Sequence, residues 1–363
     1  MGDLDAILIF SPENFYYTSG FPSRLLYLMR IAGISVSIIP RESEPAVVVA
    51  NHEAYVAKKE SRIKDIRPYT PVGYANYDPL DVVLQILKEK KLMKGRLGIE
   101  MDFVPYRLCQ RLRKFLPDVE FDDVTLIFQR LRKVKTSEEI EKLRRAVKIT
   151  EKGIVRAAEV AKEGVSEREI MKEFRKVVAA SDCRGWRHTM IAVGELLAGT
   201  FPSSCELRNG DLLQMDVGVD VEGYTSDLGR TFAIGKPSQK QRRIYQCLLQ
   251  GQRKVVQAMK PGTKLSDIYE IGLQAVRDAG YSEFSIDNFG HSVGLSLAVE
   301  EQPLLSPTED SALCPGMVLT AEVPYTSYQN GRHSWGVQIE DMILITEDGH
   351  EELSSLSRDL LEL

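Results

Sequence analysis

Gly210-Asp211-Leu212-Leu213-Gln214-Met215-Asp216-Val217-Gly218 runs on through Val219-Asp220-Val221-Glu222-Gly223 to Tyr224-Thr225-Ser226-Asp227-Leu228-Gly229-Arg230-Thr231-Phe232-Ala233. The first arm alternates in strand fashion, Glu222-Gly223 is a turn signal, and Tyr224 to Ala233 runs back. This pattern predicts an antiparallel pair with Asp216 and Asp227 across from one another, within one register step. Most carboxylates on edge strands are simply solvated. Asp216, however, sits among Leu212, Leu213, Met215 and Val217, where an acid is costly to bury unless it is paired or metal-bound.

A second hairpin is written the same way. Met317 to Tyr325 leads in, Asn330-Gly331 is a strong turn signal, and Trp335 to Thr346 returns. Glu322 and Glu340 are symmetric about that turn, each nine residues from Gly331. Gly210-x-x-Leu213-x-x-Asp216-Val217 matches Gly316-x-x-Leu319-x-x-Glu322-Val323 in offset. The match suggests an internal duplication, with two hairpins around one pseudo-twofold centre. With His291 the candidate set becomes Asp216, Asp227, His291, Glu322 and Glu340. Four carboxylates and one imidazole carry too much negative charge for one pocket unless cations neutralise it. Hard oxygen donors with a single imidazole suit two divalent ions bridged by shared carboxylates. Convergence of the five would make the chain a metal-dependent hydrolase.

The bulk properties fit a soluble globular protein. At 363 residues the chain is long for one core, so two domains are expected. Hydrophobic residues at 43% and charged residues at 27% are ordinary for a globular protein. A net charge of −5 gives no electrostatic reason to expect nucleic acid as a partner. No apolar run is long enough to cross a bilayer. The start Met1-Gly2-Asp3-Leu4-Asp5 lacks the basic, then apolar, pattern of a secretory leader. Cys109, Cys183, Cys205, Cys247 and Cys314 are scattered, so they read as buried reduced thiols in a cytoplasmic protein.

The N-terminal part alternates strands and helices. Ala6 to Phe10, Ala46 to Ala50 and Leu97 to Glu100 read as strands; Val82 to Leu92 and Tyr106 to Phe115 read as helices. This order predicts a small α/β domain. Thr136 and Glu139 form a capping box ahead of a long helix from about 137 to 162; Ser166 and Glu169 open another, through about Ala180. The basic stretch Arg130 to Lys135 reads as a solvated linker. The domains are therefore expected at 1–128 and 129–363.

Asp216-Val217-Gly218, Gly223-Tyr224-x-Ser226-Asp227-x-Gly229-Arg230-Thr231-Phe232, Gly290-His291-Ser292-Val293-Gly294, Glu322-Val323-Pro324 and Gly336-Val337-Gln338-Ile339-Glu340-Asp341 together resemble the pita-bread metallopeptidases. That group holds prolidases, aminopeptidases P, methionine aminopeptidases and creatinase. The likeness covers about residues 130 to 350. Ser11-Pro12-x-Asn14-Phe15-x-Tyr17-x-x-Gly20-Phe21 resembles the creatinase/prolidase N-terminal domain. The resemblance implies a creatinase-like α/β domain followed by a pseudo-twofold pita-bread α+β catalytic domain. It also implies roles. Asp216 would chelate a first metal, Asp227 and Glu340 would bridge two, and His291 and Glu322 would bind the second. Glu322 would move a proton from water to the leaving nitrogen. Two Mn²⁺ ions are expected, with Co²⁺ or Zn²⁺ as alternatives, in a cytoplasmic homodimer acting on a small peptide or small amide.

Three positions depart from the family pattern. Peptidase members carry a His seven residues after the metal His, where this chain has Ala298. Their upstream Leu-Pro-His segment corresponds to Leu197-Ala198-Gly199-Thr200-Phe201, without a His. The Arg before the last Glu is Gln338. His188 and His333 are the candidates to take over catalytic or substrate contacts, with Trp186, Arg187, Arg332 and Trp335 beside them; the plainer reading of each is a hydrogen-bonded surface residue. Three functions stay open: a Xaa-Pro dipeptidase or aminopeptidase, a non-peptidase hydrolase or lyase of a small amide or modified amino acid, and a non-catalytic binding module.

Overall fold

The computed structural model describes residues 4–71, 78–194, 201–295, 300–329 and 332–363, without the side chains of Gln329, Arg332 and His333. The chain divides into two compact units, Met1–Leu131 and Arg132–Leu363.

The first unit contains β1 (Ala6–Ile9), α1 (Pro12–Ser19), α2 (Arg24–Met29), β2 (Val36–Pro40), β3 (Ala46–Ala50), α3 (Ala54–Glu60) and β4 (Asp65–Tyr69). It continues through α4 (Leu80–Glu89), β5 (Lys94–Ile99), α5 (Tyr106–Phe115), β6 (Asp118–Asp123) and α6 (Thr125–Lys133), which runs past the unit boundary. The six strands order as β4-β3-β2-β1-β5-β6, mixed parallel and antiparallel. Alternation sorts the strand side chains. Leu8, Val36 and Val48 pack with Val83, Ile86 and Leu112 of α4 and α5. Ile7, Ile9, Val47 and Val49 pack with Phe15, Leu26, Ala57 and Phe128 on the other face. The Ser11-Asn14 signature has a structural job here. Buried Glu100 accepts hydrogen bonds from Phe10 N (2.6 Å), Ser11 N (2.9 Å), Ser11 Oγ (2.5 Å) and Asn14 Nδ2 (2.6 Å), so its charge is satisfied at the start of α1.

The second unit opens with α7 (Ser137–Val160) and α8 (Glu167–Ala179), both begun by the expected capping boxes. Next come β7 (Gly185–Ala192), β8 (Leu212–Val221), β9 (Tyr224–Thr225) and β10 (Leu228–Ala233). Then α9 (Gln239–Ala258), α10 (Leu265–Asp278), β11 (His291–Ser292), β12 (Glu301–Leu304) and β13 (Val318–Glu322) follow. The chain ends with β14 (Tyr325–Gln329), β15 (Arg332–Val337), β16 (Glu340–Ile345), β17 (His350–Glu352) and β18 (Leu361–Glu362). The main sheet runs β12-β11-β13-β16-β10-β8-β7, with helices against one face.

The unit is a pseudo-twofold pita-bread domain, and backbone hydrogen bonds repeat between its halves. Gly164 and Gly262 follow the long helices at φ 84° and 82°, a region open to glycine at little cost. Their N–H groups donate to Leu207 O (2.9 Å) and Leu313 O (2.8 Å); Leu207 and Leu313 donate back to Val165 O and Thr263 O. Gly210 N–H reaches Ile234 O at 2.7 Å, and Gly316 N–H reaches Ile345 O at 2.9 Å. The halves meet where β10 pairs β16.

Several local expectations need correcting. Asp216 is opposite Gly229, and Leu228 opposite Val217, so Asp227 falls beside Gly218, diagonal to Asp216 and two residues off. The diagonal keeps both acids on one face. The second hairpin is two successive pairs: β13 with β16, then β14 with β15 in a separate two-stranded sheet. Its Asn330-Gly331 turn lies outside the described residues. The basic stretch is not a solvated linker, because Lys135 is buried and donates to Ser292 Oγ at 3.0 Å, while Arg132 pairs with Glu301 at 3.1 Å. Of the five cysteines, all free, only Cys247 is buried and Cys314 is exposed.

Candidate metal centre

Period-two alternation places Asp216 on β8, Asp227 just before β10, Thr320 and Glu322 on β13, Gln338 two residues before β16 and Glu340 at its start on the sheet face away from the helices. Their neighbours Leu319, Ala321, Val323 and Ile343 face the core with α9 and α10. Glycines make the room. A Cβ at Gly229, between Asp216 and Glu340, would come 2.2 Å from Gln338 Cγ and 3.0 Å from Glu340 Cβ. A Cβ at Gly218, between His188 and Asp227, would come 1.9 Å from Ser226 O and 2.4 Å from His188 Cε1.

All five proposed ligands come together. His291 Nε2 lies 3.5 Å from Asp227 Oδ2, 3.8 Å from Glu322 Oε1 and 4.0 Å from Glu340 Oε1. Its Nδ1 is 3.1 Å from Ser292 O, and its backbone N–H donates to Thr320 Oγ1 at 3.1 Å. With Nδ1–H donating to that carbonyl, the Nε2 lone pair faces the carboxylates. Glu322 and Glu340 are direct register partners. Asp227, His291 and Glu340 are 4%, 3% and 1% exposed, whereas the Asp216 and Glu322 side chains keep 15% and 14%. The cluster therefore opens toward solvent at Asp216 and Glu322.

His188 joins the same cluster. Its Nε2 lies 3.1 Å from Asp216 Oδ1 and 2.9 Å from Asp227 Oδ1. A bulge between Trp186 and His188 puts His188 opposite Gly218. Arg187 instead pairs with Asp220, and Trp186 stacks under the Arg175 guanidinium at 4.3 Å. Trp335 packs on Tyr325 in a ring contact of 5.3 Å. The His333 and Arg332 side chains and Ala298 lie outside the described residues, as do 197–200; Phe201 is 87% exposed.

The electrostatics ask for cations. Burial pushes the Glu322 carboxyl up to about 7, against the pull of His291, and the charges of Asp227 and Asp216 add to the rise. Burial, then Asp227, Glu322 and Asp216, hold Glu340 well above its ordinary range. Burial also raises Asp216, with its hydrogen bond to His188 opposing. Asp227 Oδ1 and Glu340 Oε1 are buried without a hydrogen bond among the described residues. Buried carboxylate oxygens that lack a hydrogen bond, in a pocket with two imidazole nitrogens, fit divalent cations.

Gln338, read in the sequence only as a departure, proves to be part of the cluster. Its Nε2 donates to Glu322 Oε2 (3.0 Å) and Glu340 Oε2 (3.2 Å). Sequence reasoning missed the support on the far side of the sheet. Asp341, next to Glu340 but facing the core, accepts from Arg230 at 2.6 Å, from Gln252 at 3.1 Å and from Arg358 at 2.5 Å, and both guanidiniums hold it below the usual carboxylate range despite burial. The adjacent Glu340-Asp341 pair in an apolar strand was the available signal, since neighbours on a strand point to opposite faces.

Comparison with known proteins places the chain in a family. Residues 141–347 match metallopeptidase family M24, and residues 2–134 match the creatinase/prolidase N-terminal domain. The Xaa-Pro dipeptidase of Pyrococcus furiosus is 30% identical over 361 residues, covering 99% of this chain and 95% of that protein. The solved prolidase from Pyrococcus furiosus superposes with a TM-score of 0.83 at 29% identity, over 98% of this chain and 97% of that one. The Xaa-Pro dipeptidase from Bacillus anthracis gives a TM-score of 0.86 at 26% identity, over 99% and 95%. The chain thus belongs to the M24 metallopeptidases, with a creatinase/prolidase N-terminal domain ahead of its pita-bread enzyme domain.

Proposed function

We propose that the chain is a dinuclear metal-dependent hydrolase that cleaves the amide bond of a Xaa-Pro dipeptide or a closely related small amide. The observation that carries this reading is a pair of buried carboxylate oxygens left without hydrogen bonds among the described residues, Asp227 Oδ1 beside the imidazole of His188 and Glu340 Oε1 beside that of His291. Asp216 would hold one cation, His291 and Glu322 the other, and Asp227 and Glu340 both. Bound divalent ions supply Lewis acidity and lower the pKa of a coordinated water. Mn²⁺ is the first choice for a cage this rich in oxygen, with Co²⁺ or Zn²⁺ as substitutes.

The remaining work falls to the chain. Glu322, at the open side of the cluster, takes the proton of the attacking water and delivers it to the leaving nitrogen. Gln338 holds Glu322 and Glu340 side by side through one amide group. His188 is a catalytic candidate by its place against Asp216 and Asp227, and His333 by its place in the sequence beside Asn330-Gly331.

A second reading, a non-peptidase hydrolase or lyase of a small amide or modified amino acid, is favoured by Gln338, which brings no charge where the family's peptidases carry Arg. Names of relatives weigh the other way, toward dipeptides. The domains are proposed to divide near 128/129, in a cytoplasmic homodimer; no helix among the described residues is long and apolar enough to cross a membrane. The deciding experiment is metal analysis, then a screen of Xaa-Pro dipeptides and other small amides with Mn²⁺, Co²⁺ and Zn²⁺. Metal-dependent turnover of Xaa-Pro dipeptides is expected, weaker than in a dedicated prolidase. Robust Xaa-Pro cleavage unaffected by His188→Ala and His333→Ala would mean that the absent histidines matter little. No metal-dependent turnover of any amide would refute the hydrolase.

A further inference from the structure

Two clusters of potential ligand atoms lie in this site, and they have the same composition. One holds His188, Asp216 and Asp227; the other holds Asp227, His291 and Glu340. Each offers one imidazole nitrogen and two carboxylate oxygens, and Asp227 belongs to both. We propose that His188 is a nitrogen ligand of the first cation, so that this chain builds two nitrogen-containing metal positions. The inference rests on the dinuclear reading above.

Geometry separates ligation from a plain hydrogen bond. Neighbouring donor atoms around one octahedral cation at about 2.0–2.2 Å stand about 3 Å from each other. His188 Nε2 meets that spacing with two separate carboxylates, 3.1 Å to Asp216 Oδ1 and 2.9 Å to Asp227 Oδ1. A single ring N–H can be aligned well with one of them. It is aligned with Asp216, and Asp227 Oδ1, in a residue only 4% exposed, keeps no hydrogen bond among the described residues. A cation among the three atoms satisfies the oxygen that the imidazole does not. The backbone is also shaped for this approach, because Gly218, the register partner of His188, leaves the gap through which the ring reaches Asp227.

The two nitrogen ligands are not equivalent. His291 has its Nδ1 against Ser292 O, which fixes the tautomer and makes Nε2 a better donor. His188 Nδ1 is buried without a partner among the described residues, facing Gly218. Ligation through Nε2 leaves a proton there with nothing to accept it, which weakens the bond. The position at His188 is therefore the weaker of the two. Its nitrogen donor also moves that position's preference from Mn²⁺ toward Zn²⁺, compared with an all-oxygen site.

The test is titration of the full-length, chelator-stripped protein with Co²⁺, followed by calorimetry and visible absorption, in the unaltered chain and in His188→Ala, His188→Gln and His291→Ala. The unaltered chain should take up two equivalents of unequal affinity. His188→Ala should weaken the looser equivalent at least 10- to 100-fold and change its absorption bands, leaving the tighter one in place. Added imidazole should restore the bands. His291→Ala should instead remove the tighter equivalent. Both equivalents binding His188→Ala and His188→Gln as tightly as, or more tightly than, the unaltered chain, with unchanged spectra, would overturn the proposal and make His188 a competitor for the carboxylates. Asp227→Ala tells the two levels apart: it should disturb both equivalents, and if it leaves both intact, the dinuclear reading fails and takes this inference with it.

Discussion

Glu322 and Glu340 face each other directly across the β13–β16 pairing, and the amide of Gln338 donates to an oxygen of each, at 3.0 and 3.2 Å. Two like charges set opposite each other on a sheet destabilise it unless something binds between them. One neutral amide does not neutralise them, and the raised Glu322 and Glu340 carboxyls express the deficit.

That deficit makes metal-free stability depend on pH. Glu322, at about 7 in the fold against an ordinary 4.5, holds more protons folded than unfolded across that window, so stability falls as pH rises through it. Glu340 and Asp216 act in the same direction. For His188, burial opposes the charge, but Asp227 and Asp216 push it from 6.5 up to about 10, so its contribution, complete below 6.5, is lost as pH climbs toward 10. Bound cations displace these protons and remove the slope. Thermal midpoints measured from pH 5 to 8 should fall more steeply in chelator than in saturating Mn²⁺. Parallel curves would show that these groups are not protonated in the metal-free fold.

Asp227→Ala and Glu340→Ala each delete a carboxylate proposed to bind both cations. Activity should drop by several orders of magnitude while circular dichroism stays unchanged. In chelator, both variants should melt above the unaltered protein, because a buried carboxyl crowded by its acidic neighbours has been removed. Retained turnover in metal-controlled buffer would place the chemistry elsewhere.

Gly229→Ala and Gly218→Ala test the space beneath the ligands. At Gly229 the new methyl meets Gln338 Cγ at 2.2 Å, which a rotamer change can move, and Glu340 Cβ at 3.0 Å, a tight contact; at Gly218 it meets the carbonyl of Ser226 at 1.9 Å, which cannot move alone. Overpacking costs about 1–3 kcal/mol, and Gly218→Ala should lie at the upper end or beyond. Denaturant unfolding should rank Gly218→Ala as the more damaging, and both variants should bind Mn²⁺ more weakly. Unaltered metal affinity in Gly229→Ala would show that Glu340 is not held by this contact.

The convergence of the acids was legible because each interrupts an apolar strand, and buried charge needs a reason. The capping boxes at Thr136 and Ser166 were legible because the signal spans four residues. The same box at Ser238 and Gln241 was equally readable and was missed. Register was harder. Glu222 and Gly223 mark the turn, but the diagonal offset of Asp216 and Asp227 follows from the way Asp220 and Val221 pair with Thr225 and Tyr224. The burial of Lys135 was invisible because its partner, Ser292, lies 157 residues away. The role of Gln338 could not be read either, since an amide within reach of two carboxylates is set by the pairing of β13 with β16.

The most direct measurement is diffraction from Mn²⁺-loaded crystals at the manganese absorption edge. Two anomalous peaks roughly 3.5–4 Å apart are expected, enclosed by Asp216, Asp227, His291, Glu322 and Glu340. A single peak, or peaks away from these side chains at full loading, would contradict the dinuclear centre.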